Sequence, residues 1–278
     1  MHLITAQEIP DSKLEKPFRL IVGGGSGSGK TEFVKRLVNN NHFASPFDKI
    51  VYCYPDYLCD FPAEFDQIVE YQPGICDLTY FSSLPKNSLV ILDDMMSECG
   101  NSDMIMKLFS VVARKRNLSV IFIVQNIYDR TKQFRNIRLN ATSFALFKFY
   151  AATDVTKRIL RDINCGDLIS NRQLERVYSQ KFAYIFIDIH PERHSEFFTI
   201  RSNIFELNYT LFHKMEYVAI PKSEFIKHFK VIEAKKGTIK AIKDEITIRK
   251  STKPKKRRRE PTPSESGSTT SETTTDTE

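Results

Sequence analysis

Apolar runs without polar alternation recur along the chain, each followed by a loop and then by residues at helical spacing. FRLIV (18–22), KIVYCYP (Lys49–Pro55), SLVILDD (Ser88–Asp94), LSVIFIVQN (Leu118–Asn126) and SFALFKFY (Ser143–Tyr150) are such runs. A strand that is apolar on both faces needs a layer on each side, so the pattern predicts a mostly parallel sheet covered by helices on both faces. Between the runs, spacing predicts helices over Thr31–Asn39 and over Ser102–Arg116, the second with a basic last turn that suits the helix dipole. Residues 56–88 are irregular: FPAEFDQIVEY (61–71) predicts a short helix and a further short strand, and LPKNS (Leu84–Ser88) a turn. Residues 153–180 read as two helical pieces broken near Cys165 and Gly166. KFAYIFIDIH (Lys181–His190) and FFTIR (Phe197–Arg201) read as a terminal strand pair, with the core ending near Phe205.

The pattern divides the chain into an N-terminal segment (1–17), one α/β domain (18–206), a basic extension (207–250) and a tail (251–278). In the extension, PKSEFIKHFKVIEAKKG (221–237) predicts an amphipathic basic helix. The tail is charge, Ser, Thr and Pro, a composition expected to be disordered because it offers nothing to bury. Its STKPKKRRRE run (Ser251–Glu260), a Pro-punctuated basic cluster beside a Ser/Thr-rich acidic segment, fits a nuclear import signal better than a DNA clamp or a plain charged disordered run.

Composition narrows the class. With 278 residues, 41% of them hydrophobic, the chain suits one α/β domain with appendages. Its five cysteines are odd in number and form no C-x-x-C, which argues against a disulfide framework or a zinc ribbon and fits a reducing compartment. No signal-like start and no run approaching 18 apolar residues is present, so a soluble protein with no membrane partner is expected. The net charge is +7, yet residues 260–278 hold five acids and no base; the remainder is about +12, from 41 bases less 29 acids. Such an excess suits a polyanionic partner, whose counterions are released on binding.

The chemistry begins at FRLIVGGGSGSGKTEFVKR (18–36), where a strand pattern, a Gly-Ser loop and a helix pattern occur in succession. Gly24, Gly29, Lys30 and Thr31 satisfy G-x-x-x-x-G-K-[ST], the phosphate-gripping P-loop in its expected setting. The candidate nucleotide-binding set is Gly24, Gly25, Ser26, Gly27, Ser28, Gly29, Lys30, Thr31 and Glu32, with ATP and Mg²⁺ as the expected ligands. Small residues let backbone N–H groups wrap phosphate oxygens, Lys30 should reach the β- and γ-phosphates, and Thr31 should ligate Mg²⁺. Asp93 and Asp94 end a buried run 63 residues after Lys30 and look like a Walker B element. Asp93 is assigned to the metal and Asp94 to general-base work, with Glu98 as the fallback base. Gln125, in preference to Asn126, could touch both γ-phosphate and attacking water. HPERH (His190–His194) has its acid at neither metalloprotease position and is expected to be a turn.

GGGSGSGKT, the acidic pair in LVILDD and NLSVIFIVQN followed by RNIRLN together resemble the FtsK-HerA superfamily of DNA-pumping ATPases. More narrowly, they resemble the poxvirus-type genome-packaging ATPases shared by large DNA viruses, adintoviruses and Polinton (Maverick) elements. The similarity extends to AYIFIDIHPERHSEFFTIRSNIF (Ala183–Phe205) and covers roughly residues 18–205. It implies a RecA-like P-loop NTPase fold with an extra strand between the P-loop and Walker B strands, matched here by KIVYCY. It also implies a homo-oligomeric ring around double-stranded DNA, capsid or portal proteins as partners, and action in the host nucleus or at a viral assembly site. A neighbour's arginine would complete each site; Arg135 in FRNIRLN matches that position, with Arg114, Arg116 and Arg138 as rivals. The turn before the amide strand is ARKRN here, where the family carries acid-rich or histidine-rich turns. The function so read is ATP-driven translocation of DNA into a capsid. The alternatives are a P-loop helicase or repair ATPase and a non-hydrolysing nucleotide-gated adaptor.

Overall fold

Burial on alternate faces of successive residues organises the domain. The structure, a computed structural model, describes residues 2–4, 12–55, 65, 69–95, 103–128, 132–149, 154–192, 199–206, 210–213 and 215–219. The chain divides into two units, Met1–Ile246 and Thr247–Glu278. The second unit lies outside the described residues, as do Glu98, the predicted helix at 221–237 and most of 61–71.

Eleven strands form one sheet: β1 (His2–Ile4), β2 (Arg19–Gly23), β3 (Lys49–Tyr54), β4 (Glu70–Pro73), β5 (Ser88–Asp93), β6 (Ser119–Val124), β7 (Ser143–Phe147), β8 (Tyr184–Asp188), β9 (Ile200–Ser202), β10 (Thr210–His213) and β11 (Met215–Ala219). Their order is β1-β11-β10-β9-β8-β7-β2-β6-β5-β3-β4. From β7 to β4 every neighbour is parallel; from β7 to β11 every neighbour is antiparallel, and β1 runs parallel to β11. In space, β6 separates β2 from β5, while β3, which intervenes in sequence, lies on the far side of β5.

Within β2 and β6, Ile21, Val120 and Phe122 point to one apolar cluster and Leu20, Val22, Ile121 and Ile123 to the other. The second cluster is roofed by α1 (Lys30–Asn39) through Phe33, Val34, Leu37 and Val38. The first is covered by α2 (Leu78–Ser83), α3 (Asp103–Arg116), α4 (Lys132–Asn140), α5 (Val155–Asp162) and α6 (Asn171–Tyr178). Each large side chain so buried contributes on the order of 1.5–3 kcal/mol. The start of α6 is fixed by a capping box, in which Ser170 Oγ accepts from Gln173 N and the Gln173 side chain reaches back to the Ser170 N–H. Among the described residues, no helix is long and apolar enough to cross a membrane.

Several elements differ from the sequence reading. Helix α3 is not a plain α-helix: it runs as α over Asp103–Lys107, π over Leu108–Val112 and α over Ala113–Arg116. The wider turn keeps Leu108, Phe109 and Val112 buried and turns Val111 outward. The further short strand expected within 56–88 is β4, from Glu70 to Pro73, whereas α2 is an addition that begins where Asp77 caps it by accepting from Tyr80 N at 2.7 Å. The sheet also continues past Phe205. β10 pairs with β9, β11 with β10, and β1 joins from the other end of the chain. TLFH and MEYVA are short and carry mixed polarity, which is why periodicity misses them. Residues 12–18 also pack into the domain: Leu14 and Phe18 are buried, Leu14 bridges to Phe43, and Ser12 Oγ donates to the Ile204 carbonyl at 2.6 Å.

β8 and β9 are tied by a buried ion pair. Arg201 Nη2 lies 2.7 Å from Asp188 Oδ2, with the two side chains 4% and 10% exposed. Asp188 Oδ1 accepts the His190 N–H at 3.0 Å. His190 Nδ1 in turn accepts from Glu192 N at 3.1 Å, which leaves Nε2 to donate to the Pro17 carbonyl at 3.2 Å. The first residues of HPERH thus use His190 to hold a turn; His194 lies outside the described residues.

At the opposite edge, Glu70 of β4 bonds Lys49 at 2.6 Å and accepts from the Tyr80 hydroxyl. The Lys49 bond, then the Tyr80 bond, hold its carboxyl down to about 2. A depressed carboxyl pKa contributes stability above the unfolded value, roughly 4.3, that is lost as pH falls through the folded value. Both groups are about a third exposed, so the contribution is within about 1 kcal/mol. Glu70→Gln is therefore expected to lower the melting temperature slightly at pH 7, and the gap to wild type should narrow steadily between about pH 5 and 2. Melting curves across that range check this, and a gap as wide at about pH 2.5 as at pH 7 would count against the ion pair.

Candidate nucleotide site

The register of the parallel strands gathers the candidate residues at one edge. Gly23 stands beside Val124, and Asp93 beside Ile123, so the loops leaving β2, β5 and β6 emerge together at the C-terminal ends of their strands. After β2 the chain turns through Gly24–Gly29 into α1, whose N-cap is Gly29 at φ 97°, with no side-chain cap. Gly27 also has positive φ, 68°. Gly24 is required for another reason: a Cβ there would lie 2.6 Å from Phe147 Cβ and 2.8 Å from Ser28 Oγ. Ser26 and Gly27 form an exposed tip, Ser28 and Lys30 are buried, and Glu32 is exposed in the first turn of α1.

This loop fits a polyphosphate. The first N–H groups of α1 have no partner within the helix and carry the positive end of its dipole. The Ser28 hydroxyl is buried with no protein hydrogen-bond partner, a polar atom suited to a ligand oxygen. Lys30 Nζ donates to the carbonyls of Gly24 and Gly25, both at 2.9 Å, which holds the ammonium across the mouth of the loop. Burial lowers the Lys30 pKa, and Asp94 and then Asp93 oppose that shift. Gly24→Ala is expected to weaken nucleotide binding at least about tenfold, because Phe147 and Ser28 must both move. Calorimetric titration with ATP checks this.

The acids and amides resolve into two pairs. Asp93 Oδ2 accepts from Thr31 Oγ1 at 3.3 Å and from the Tyr52 hydroxyl. Burial raises the Asp93 carboxyl pKa, with the Tyr52 hydrogen bond the first of the opposing effects. One hydroxyl and one carboxylate, hard oxygen donors at the loop, make the donor set expected for a Mg²⁺ that completes its shell with water and phosphate. Asp94 leaves the strand at φ 51°, its N–H donating to the Ile123 carbonyl at 3.2 Å. Its Oδ2 accepts from Gln125 Nε2 at 2.7 Å. Asn126 does different work: its Oδ1 accepts from Tyr128 N at 3.0 Å, holding the loop.

Tyr52 was missed by sequence reasoning. Burial and the neighbouring carboxylate push its phenol pKa up, so it acts as a fixed donor to Asp93. Its only sequence signal is a hydroxyl on a strand otherwise built for burial.

The arginines are apart from this cluster. Arg135 is exposed on α4 and lines a separate groove of about 880 Å³ with Tyr128, Arg138 and Asp162. Arg138 donates to the Ile127 carbonyl at 3.0 Å and lies 4.4 Å from the Tyr128 ring centroid. Arg116 donates to the Leu84 carbonyl at 3.5 Å, and Arg114 is exposed beside Arg19.

A parallel strand, a glycine loop opening a helix, acids on a neighbouring strand and an amide on the strand between them define a P-loop NTPase domain of RecA-like architecture. Residues 8–139, just under half of the chain, match the family described as Poxvirus A32 protein. No curated protein matches the chain in sequence. Among solved structures, the genome packaging NTPase B204 from Sulfolobus turreted icosahedral virus 2 in complex with ATP-gammaS superposes with a TM-score of 0.45 at 14% identity, over 62% of this chain and 93% of that one. B204, the DNA-packaging ATPase from Sulfolobus turreted icosahedral virus, gives 0.45 at 12% identity, over 63% and 94%. The cytoplasmic domain of the type VII secretion ATPase EccC from Thermomonospora curvata gives 0.38 at 13%, over 74% and 24%.

Proposed function

We propose that this chain hydrolyses ATP and uses the cycle to drive double-stranded DNA into a viral capsid, as one subunit of a ring. The observation that carries the hydrolytic part is the 2.7 Å contact between Asp94 and Gln125 at the strand edge that also presents Lys30, Thr31 and Asp93. Lys30 and the first N–H groups of α1 would hold the β- and γ-phosphates. Thr31 and Asp93 would hold Mg²⁺, which when bound neutralises phosphate charge. Asp94 would take the proton of the attacking water. Gln125, bonded to that base, would orient the water and register whether the γ-phosphate is present. Arg135 of a neighbouring subunit is the residue assigned to complete the site.

The DNA part is supported by the charge of about +12 outside the acidic end and by the A32 match; the capsid part rests on the family resemblance. Steady-state ATP turnover by the full chain, with and without long duplex DNA, tests the hydrolytic and DNA parts. Strong stimulation that fades with added salt is the expected result. Turnover indifferent to duplex would overturn the DNA motor, and absence of turnover with tight ATP binding would leave the nucleotide-gated adaptor.

A further inference from the structure

One aromatic beside the P-loop has no part in the phosphate chemistry. Phe182, in the turn before β8, is 56% exposed. Its φ is +60°, a conformation that costs a bulky residue strain and is held where the surroundings or a function demand it. The ring lies against the loop, with Cδ1 3.3 Å from where a Cβ on Gly29 would stand. Lys181 Nζ is 4.8 Å from the ring centroid. Ser28, Lys148, Tyr178, Gln180 and Phe182 line a cleft of about 230 Å³. That is below the roughly 300–1,000 Å³ of a site enclosing a whole drug-sized ligand, and it suits one part of a larger molecule.

The sheet order says which part. β2 stands between β6 and β7. Asp94 and Gln125 come from β5 and β6, on one side of the loop; Lys148 and Phe182 come from the ends of β7 and β8, on the other. A triphosphate whose γ end faces Asp94 and Gln125 directs its other end toward β7 and β8. From this geometry we infer that the cleft seats the base and ribose of the nucleotide, with the exposed face of Phe182 as the stacking surface for the base. The inference rests on the nucleotide reading of the P-loop. Stacking on an aromatic face is sequence-tolerant, so ATP and GTP should both use it, with selectivity left to the polar neighbours.

The chain contains no tryptophan, so Phe182→Trp introduces a single indole as reporter. In the full chain with Mg²⁺, ATP should quench that indole, whereas inorganic tripolyphosphate should compete with ATP yet leave the emission unchanged. Phe182→Ala should weaken ATP binding about tenfold or more, leave tripolyphosphate binding at the wild-type level, and be rescued by Phe182→Tyr. Because tripolyphosphate binding reports an intact P-loop, a loss confined to ATP cannot come from misfolding. Equal ATP affinity in Phe182→Ala and wild type overturns the stacking role alone, as does an equal loss for both ligands. A wild-type chain that binds neither ligand overturns the nucleotide reading and this inference with it.

Discussion

Asp94→Asn is expected to bind ATP as the wild type does and to turn it over about 10²- to 10⁴-fold more slowly, the range for loss of a positioned general base. The substitution is nearly silent structurally. Asparagine tolerates the left-handed backbone, φ 51°, as well as aspartate does, and its side-chain carbonyl can keep the 2.7 Å bond from Gln125 Nε2. What it loses is the capacity to take a proton from water. Lys30→Ala should behave oppositely, losing affinity first, because Lys30 is placed within the loop and not at the base. Phosphate release under single-turnover conditions, beside equilibrium binding of a non-hydrolysable analogue, separates the two. An Asp94→Asn protein that turns over at the wild-type rate would remove Asp94 as base and leave the phosphate loop untouched.

Arg201→Met is expected to destabilise the domain by roughly 3–5 kcal/mol, because it strands the Asp188 carboxylate in a buried position. That carboxylate would retain only the His190 N–H, and its side chain is 10% exposed. Pairing the change with Asp188→Leu should recover most of the loss, since burying two apolar groups costs less than burying one uncompensated charge. Chemical denaturation of the two singles and the double measures this, and a double mutant as unstable as Arg201→Met would show that shape, not charge, is being read. Neither residue contacts the P-loop, so nucleotide affinity of the folded fraction should not change.

The parts of the fold that were legible are those whose burial is written in consecutive residues. FRLIV, SLVILD, SVIFIV and SFALF are apolar on both faces because each strand is sandwiched, and all four lie side by side in the sheet. The glycine loop was legible because its backbone angles and its clearance from Phe147 restrict residue choice directly. Tyr52 was not, since its bond to Asp93 depends on the register between β3 and β5, which one sequence does not state. The same holds for Phe182, whose exposure and contact with Gly29 appear only once β8 is laid against β7. β10 and β11 escaped because an edge hairpin of TLFH and MEYVA needs only half its residues apolar. For Arg135 the structure gives a place, an exposed helix face apart from the P-loop, and nothing in its own spacing marks it out from Arg138 on the same helix.

The π turn in α3 bears on how this chain could vary in length. A π turn holds one residue more than an α turn, so Leu108–Val112 carries one residue beyond what a plain α-helix would place there. Val111 is the residue turned outward there, between the buried Phe109 and Val112. Excising it would let the hydrogen-bond ladder close as ordinary α-helix while Ile105 before it and Ala113 after it keep their places over the sheet. A deletion in α3 outside the π turn would rotate one flank by about 100° relative to the other and carry its apolar face toward solvent. Helix α3 therefore has one turn at which the chain can shorten without disturbing the packing beneath the strand edge that carries the P-loop.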